Sequence, residues 1–138
     1  MVKQLSNAKA EEIFFTALCN GLGQLGVYGL LLDVNPHHYR DAKSQLESSD
    51  KAECLFFPRS VICFEDVLFK MLKLGYPLSF KDDEYDGTYD AHVTLQDIHE
   101  RVPTAPSYLL DDMLNENDDA FTADGILQWV MYNEIIFG

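Results

Sequence analysis

The sequence predicts an α+β fold, a helix-dominated single domain of about five or six helices with a small antiparallel β-hairpin around Leu78–Leu95. Two patterns carry that expectation. Apolar residues recur at helical spacing in several segments, each with its own start and stop signals. Only between Leu78 and Leu95 does the period change to alternation about a turn dipeptide, Asp86-Gly87. The 138 residues (1–138) fit one domain, and 47% apolar residues, 12% of the chain being aromatic, supply material for a core.

In chain order, Ser6 or Asn7 can cap a first helix carrying Ala10, Ile13, Phe14, Ala17 and Leu18 on one face, with Gly21 as its expected stop. Val27–Leu32 is short, apolar and flanked by glycine, which predicts a buried strand. Asn35-Pro36 reads as an N-cap followed by proline at the first helical position. The stripe of that second helix is narrow (Tyr39, Ala42, Leu46), so it belongs at the periphery. Ser48–Lys51 is a polar connector, and Cys54–Pro58 fits either a strand or an apolar loop. A regular helix follows, with Phe64, Val67, Leu68, Met71 and Leu72 inward and Gly75 as terminator.

Centring the hairpin on Asp86-Gly87 pairs Phe80 with Val93 and Leu78 with Leu95 on an apolar face. The polar face then holds Ser79 with Thr94, Lys81 with His92, and Asp83 with Asp90. Thr94 and Asp97 form a capping-box pattern for a short helix ending before Pro103. Thr104 or Ser107 opens the next helix, which turns Leu109, Leu110, Met113 and Leu114 inward. Thr122 is the expected cap of a C-terminal helix whose stripe runs from Ile126 to Ile135 and is widened by Trp129, Tyr132 and Ile136. A stripe that broad belongs to a central core helix or to an interface.

Charge is uneven. Residues 1–70 hold seven basic and nine acidic side chains, whereas residues 71–138 hold three basic and fourteen acidic ones, within a total of −13. Such a surface repels phosphate backbones and anionic lipid, so neither direct nucleic-acid nor membrane binding is expected. Its favoured partners are cations and basic protein surfaces. No apolar run reaches the roughly 18 residues of a membrane span, and Met1–Ser6 lacks the apolar stretch of a secretory signal. Cys19, Cys54 and Cys63 sit among apolar neighbours, as buried, reduced thiols of a cytoplasmic protein would.

Motifs that carry chemistry are weak here. Gly21-Leu22-Gly23-Gln24-Leu25-Gly26 matches G-x-G-x-x-G, but a dinucleotide site needs a strand before it and a helix after it, the reverse of the expected order. Asp82, Glu84, Asp86 and Gly87 match the start of a calcium loop, yet its closing glutamate position is Val93. His37 and His38 are adjacent and diverge on a helix, and no zinc-ligand spacing, hydrolase elbow or cofactor motif appears.

The leading functional expectation is a non-enzymatic protein-protein interaction module with a basic partner. It would use Asp111, Asp112, Asp118 and Asp119 together with Trp129 and Tyr132. A sharper version is a nucleic-acid mimic of phage or mobile-element type, with Asp82, Asp83, Glu84 and Asp86 joining those four carboxylates on one face. Self-association through the C-terminal helix is a separate expectation. The alternative is a small enzyme or divalent-cation-dependent protein, its site on the 82–92 hairpin at Asp83, Asp90 and His92.

Overall fold

A computed structural model describes residues 5–48 and 61–138, so Cys54–Pro58 and most of the Ser48–Lys51 connector lie outside the described residues. The architecture is α+β: among the described residues, six α-helices and a three-stranded antiparallel sheet surround a shared core.

Helix α1 spans Asn7–Val27, with the Ser6 hydroxyl accepting the Lys9 N–H at 3.1 Å. It does not stop at Gly21. A Cβ there would stand 2.8 Å from the Asp124 nitrogen and 2.9 Å from the Ala123 carbonyl carbon, on the C-terminal helix. Glycine is therefore the residue that lets these two helices touch backbone to backbone, and among the described residues they form the most extensive helix–helix contact. The G-x-G-x-x-G run lies within α1, so no strand-to-helix turn surrounds it. Because α1 continues to Val27, the strand begins late: β1 is Leu30–Asp33, entered through Gly29 at φ +84°. Val27 is exposed rather than the start of a buried run.

Helix α2 (Pro36–Ser48) starts as expected, the Asn35 side-chain oxygen accepting the N–H groups of His37 and His38 at 2.9 and 3.2 Å. Only Ala42 and Leu46 are fully buried on it. Helix α3 (Phe64–Lys73) buries Val67, Leu68, Phe69, Met71 and Leu72 and ends before Gly75 at φ +92°. Phe64, expected inward, is 43% exposed.

Strands β2 (Leu78–Asp82) and β3 (Ala91–Val93) complete the sheet in the order β1-β2-β3. Their register differs by two residues from the expected one: Leu78 faces Val93, Ser79 faces His92 and Phe80 faces Ala91. The cause is the Asp82 side chain. One of its oxygens accepts the N–H groups of Glu84 and Tyr85, each at 2.8 Å, and the other that of Tyr89 at 3.1 Å. These bonds wind residues 83–90 into a broad loop and end the ladder early. Asp86 and Gly87 do form a tight turn within it, both at positive φ, closed by Thr88 N–H on the Tyr85 carbonyl. A two-residue slip keeps every side chain on its face, so the apolar and polar faces are as expected.

Helix α4 (Leu95–Arg101) has the expected capping box of Thr94 and Asp97, and a 3-10 turn at Val102–Thr104 follows. Helix α5 (Ser107–Leu114) buries Leu109, Leu110 and Met113. Helix α6 (Ala120–Tyr132) is capped by Asp119, not Thr122: the Asp119 carboxylate accepts the Thr122 N–H at 2.8 Å, and Thr122 is buried one turn in. It ends at Asn133 in the left-handed conformation, so Ile135 and Ile136 lie beyond the helix.

Nine of the 13 residues of α6 are buried, which makes its width that of a core helix. Its C-terminal carbonyls at Val130 and Met131 accept from the Arg101 guanidinium, a cation placed where the helix dipole favours one. A second tie joins three helices: Glu11 on α1 meets Lys73 Nζ of α3 at 2.5 Å and His99 Nε2 of α4 at 2.7 Å.

Candidate functional site

Of the three buried polar residues of α6, Thr122, Asp124 and Gln128, the last two organise what lies beside it. Asp124 and Gln128 are four apart and therefore share a face; they are 3% and 0% exposed. Gln128 Oε1 accepts the N–H groups of Ile136 and Phe137 at 2.9 and 2.8 Å, and its Nε2 donates to the Phe137 carbonyl at 3.1 Å and to Asp124. The C-terminal tail is thereby folded back along α6. Asp124 also accepts from the Tyr28 hydroxyl at 3.3 Å, and the Tyr28 ring stacks on Phe137 with centroids 5.3 Å apart. Burial pushes the Asp124 carboxyl above the ordinary aspartate range, and the Gln128 and Tyr28 hydrogen bonds only partly oppose it.

The folded-back tail makes one wall of a cleft of about 300 Å³, whose other walls are α5 and the first turns of α6. Asp112, Asp119 and Asp124 line it, together with Tyr28, Tyr108 and Phe121. Tyr108 and Phe121 are each 63% exposed. Among the described residues no lysine or arginine lines this cleft.

A second acidic group adjoins the same tail. On the 83–90 loop, Tyr85 and Tyr89 rest against Phe137, with centroids 6.0 and 5.1 Å away, while Asp83, Glu84 and Asp86 face solvent. The loop is fastened to the end of α1 through Asp83 N–H on the Gly29 carbonyl at 2.9 Å. The tail thus runs between the carboxylates of the β2–β3 loop and those of the α5–α6 region.

The hairpin candidates Asp83, Asp90 and His92 do not converge. The register that set Asp83 across from Asp90 is absent. Instead, one Asp90 oxygen accepts the Asp82 N–H at 2.8 Å and the other lies 3.7 Å from Lys81 Nζ. His92 faces Ser79, not Lys81, and its Nδ1 shares a 2.9 Å hydrogen bond with the Ser79 hydroxyl. On the other side of Ser79 in the sheet stands Asp33. That order leaves the serine between acid and imidazole, whereas nucleophile activation needs the imidazole in the middle. Among the described residues no group of three or more His, Cys, Asp or Glu is placed to hold a metal ion. Cys19 is exposed and Cys63 half-buried, so the expectation of mostly buried thiols fails at Cys19. No helix among the described residues is long and apolar enough to cross a membrane.

Of the eight carboxylates expected on an acidic face, Asp82 is buried as the loop organiser and Asp119 is engaged as the α6 cap. Asp111 is exposed, Asp112 accepts from the Thr122 hydroxyl at 3.3 Å, and Asp118 accepts from Asn20 at 2.8 Å. Trp129 and Tyr132 are half-buried, with Trp129 Nε1 donating to Thr104 and the Tyr132 hydroxyl to the Tyr89 carbonyl. Sequence reasoning passed over Tyr28, Tyr108, Phe121, Asp124 and Gln128. A signal existed for the last two, because an acid and an amide four apart inside an apolar helix require buried partners. A comparison with known protein families, curated proteins and solved structures finds no match to this chain.

Proposed function

We propose that this protein is a non-enzymatic interaction module that binds a basic protein surface through its acidic C-terminal half. The observation that carries this reading is the arrangement of charge around the C-terminal tail. Exposed carboxylates of the β2–β3 loop flank one side and those of the α5–α6 region the other. Each of the three basic side chains of residues 71–138 already has a partner: Lys73 with Glu11, Lys81 with Asp90, and Arg101 with the end of α6 and Asp97. A basic partner gains association rate and specificity from such a field.

The test removes charge without removing shape. A fourfold variant, Asp83→Asn, Asp86→Asn, Asp111→Asn and Asp118→Asn, is compared with the parent as bait in cell lysate. Under this reading the parent captures a basic protein at low salt, releases it at high salt, and the variant loses it. Equal capture by both baits, or a partner held in high salt, contradicts the reading.

A further inference from the structure

We infer that the cleft between α5, the start of α6 and the C-terminal tail is the docking point of that acidic surface, and that it takes one arginine side chain of the basic protein partner. The inference rests on the interaction reading above and adds the place and the residue type.

Three features select the occupant. Carboxylates at Asp112, Asp119 and Asp124 stand in a cleft of about 300 Å³, at the small end of ligand pockets and matched to a side chain more than to a whole cofactor. The walls carry flat aromatic surface, and the rings of Tyr108 and Phe121 are the exposed ones. A guanidinium stacks on such faces and pairs with carboxylates in its own plane, while an ammonium is a compact, strongly hydrated point charge. Aromatic side chains are also among the residues that dominate binding energy in protein interfaces.

One feature opposes a cation, and its size decides the matter. The first turn of α6 borders the cleft and presents the positive end of a helix dipole, equivalent to about half an elementary charge. Asp119 caps that end directly, its carboxylate on the Thr122 N–H. Asp112 remains, and among the described residues its side chain meets only the neutral Thr122 hydroxyl; Asp124 adds a second, buried acid whose oxygens meet the neutral donors Tyr28 and Gln128. The cleft stays negative, and an arginine is the ion-pairing group that it lacks.

The test is a nuclear magnetic resonance titration of the isotope-labelled full chain with capped Gly-Gly-Arg-Gly-Gly, and with its lysine counterpart. Saturable shifts are expected at the amides of Tyr108, Phe121, Thr122 and Gly125, with the lysine peptide binding more weakly. Phe121→Ser and Asp112→Asn should each weaken the arginine peptide about threefold or more. Both positions tolerate change, because Phe121 is largely exposed and asparagine keeps the acceptor that Thr122 uses. Shifts that avoid the cleft, or affinities unmoved by both substitutions, overturn the inference. Hexaarginine run in parallel separates the two levels. If it binds the parent and weakens in the fourfold carboxamide variant, yet ignores Phe121→Ser and Asp112→Asn, the acidic surface binds and the cleft does not. If it fails to bind at all, both readings fall.

Discussion

Gln128 holds Phe137 by both ends of its amide: Oε1 accepts the Phe137 N–H at 2.8 Å and Nε2 donates to the Phe137 carbonyl at 3.1 Å. A fully buried side chain on α6 thus fixes the tail that walls the cleft and supports the acidic loop. Gln128→Leu keeps the volume and removes every bond. The expected cost is about 2–4 kcal/mol in denaturant unfolding, from several lost hydrogen bonds and the buried groups left without partners. Hydrogen exchange at Ile136 and Phe137 should accelerate beyond that global loss. Unchanged exchange there would show that the tail is held by its apolar contacts instead.

The glycines of α1 should behave in opposite ways. Gly21→Ala drives a methyl into the α6 backbone at Asp124 and Ala123, with an expected destabilisation of roughly 1–3 kcal/mol. At Gly23 and Gly26 a Cβ meets nothing within 4 Å. Alanine at either position should therefore stabilise, by about 0.5–1 kcal/mol for one exposed helical site. Thermal unfolding of the three single variants measures the contrast, and a penalty at Gly23 equal to that at Gly21 would contradict the helix–helix account.

Glu11 is a buried acid whose two oxygens serve two partners, Lys73 and His99. Burial pushes its carboxyl up, but the hydrogen bonds and the electrostatic attraction of Lys73 and His99 together outweigh burial and hold it below the ordinary glutamate range. A lowered native value means stability present above the unfolded value of about 4.3 and lost as pH falls through the native one. Glu11→Gln should thus cost about 1–3 kcal/mol near neutrality, discounted because Lys73 is half exposed. The gap between variant and parent should narrow as acid titrates the parent. A gap independent of pH would place the loss in packing.

Asp124 has the opposite sign. Its raised native value means the fold binds that proton more tightly than the unfolded chain, so its contribution is fully present below about 3.9 and declines as pH rises through the native value. Asp124→Asn removes the buried charge and keeps an acceptor for Gln128. It should match or exceed the parent in stability at pH 7 and lose that advantage in acid, as followed by unfolding at several pH values. A strong loss at neutral pH would show the ionised carboxylate to be structural.

The legible parts of this fold are local. The Thr94–Asp97 capping box, the Asn35 cap and the apolar face of α3 are set by residues within a turn or two of each other, and all were readable. What was not readable depends on contacts across the chain or on a side chain bonding to backbone. Gly21 looks like a helix stop until α6 lies against it. Asp86-Gly87 does turn, yet Asp82 captures three N–H groups of the loop and shifts the strand pairing by two residues. The candidate site shows the same division. Its charge excess was visible in composition, while the cleft needs a tail folded back by Gln128, and no local pattern announces that.

Binding of a cationic protein surface by the acidic end is tested most directly by calorimetric titration of the full chain with hexaarginine at two salt concentrations. Raising salt from about 50 to about 200 mM shortens the screening length about twofold. Binding should weaken several-fold between the two, and the fourfold carboxamide variant should bind weakly at both. No binding at low salt, or an affinity indifferent to both salt and carboxylate removal, would contradict the account.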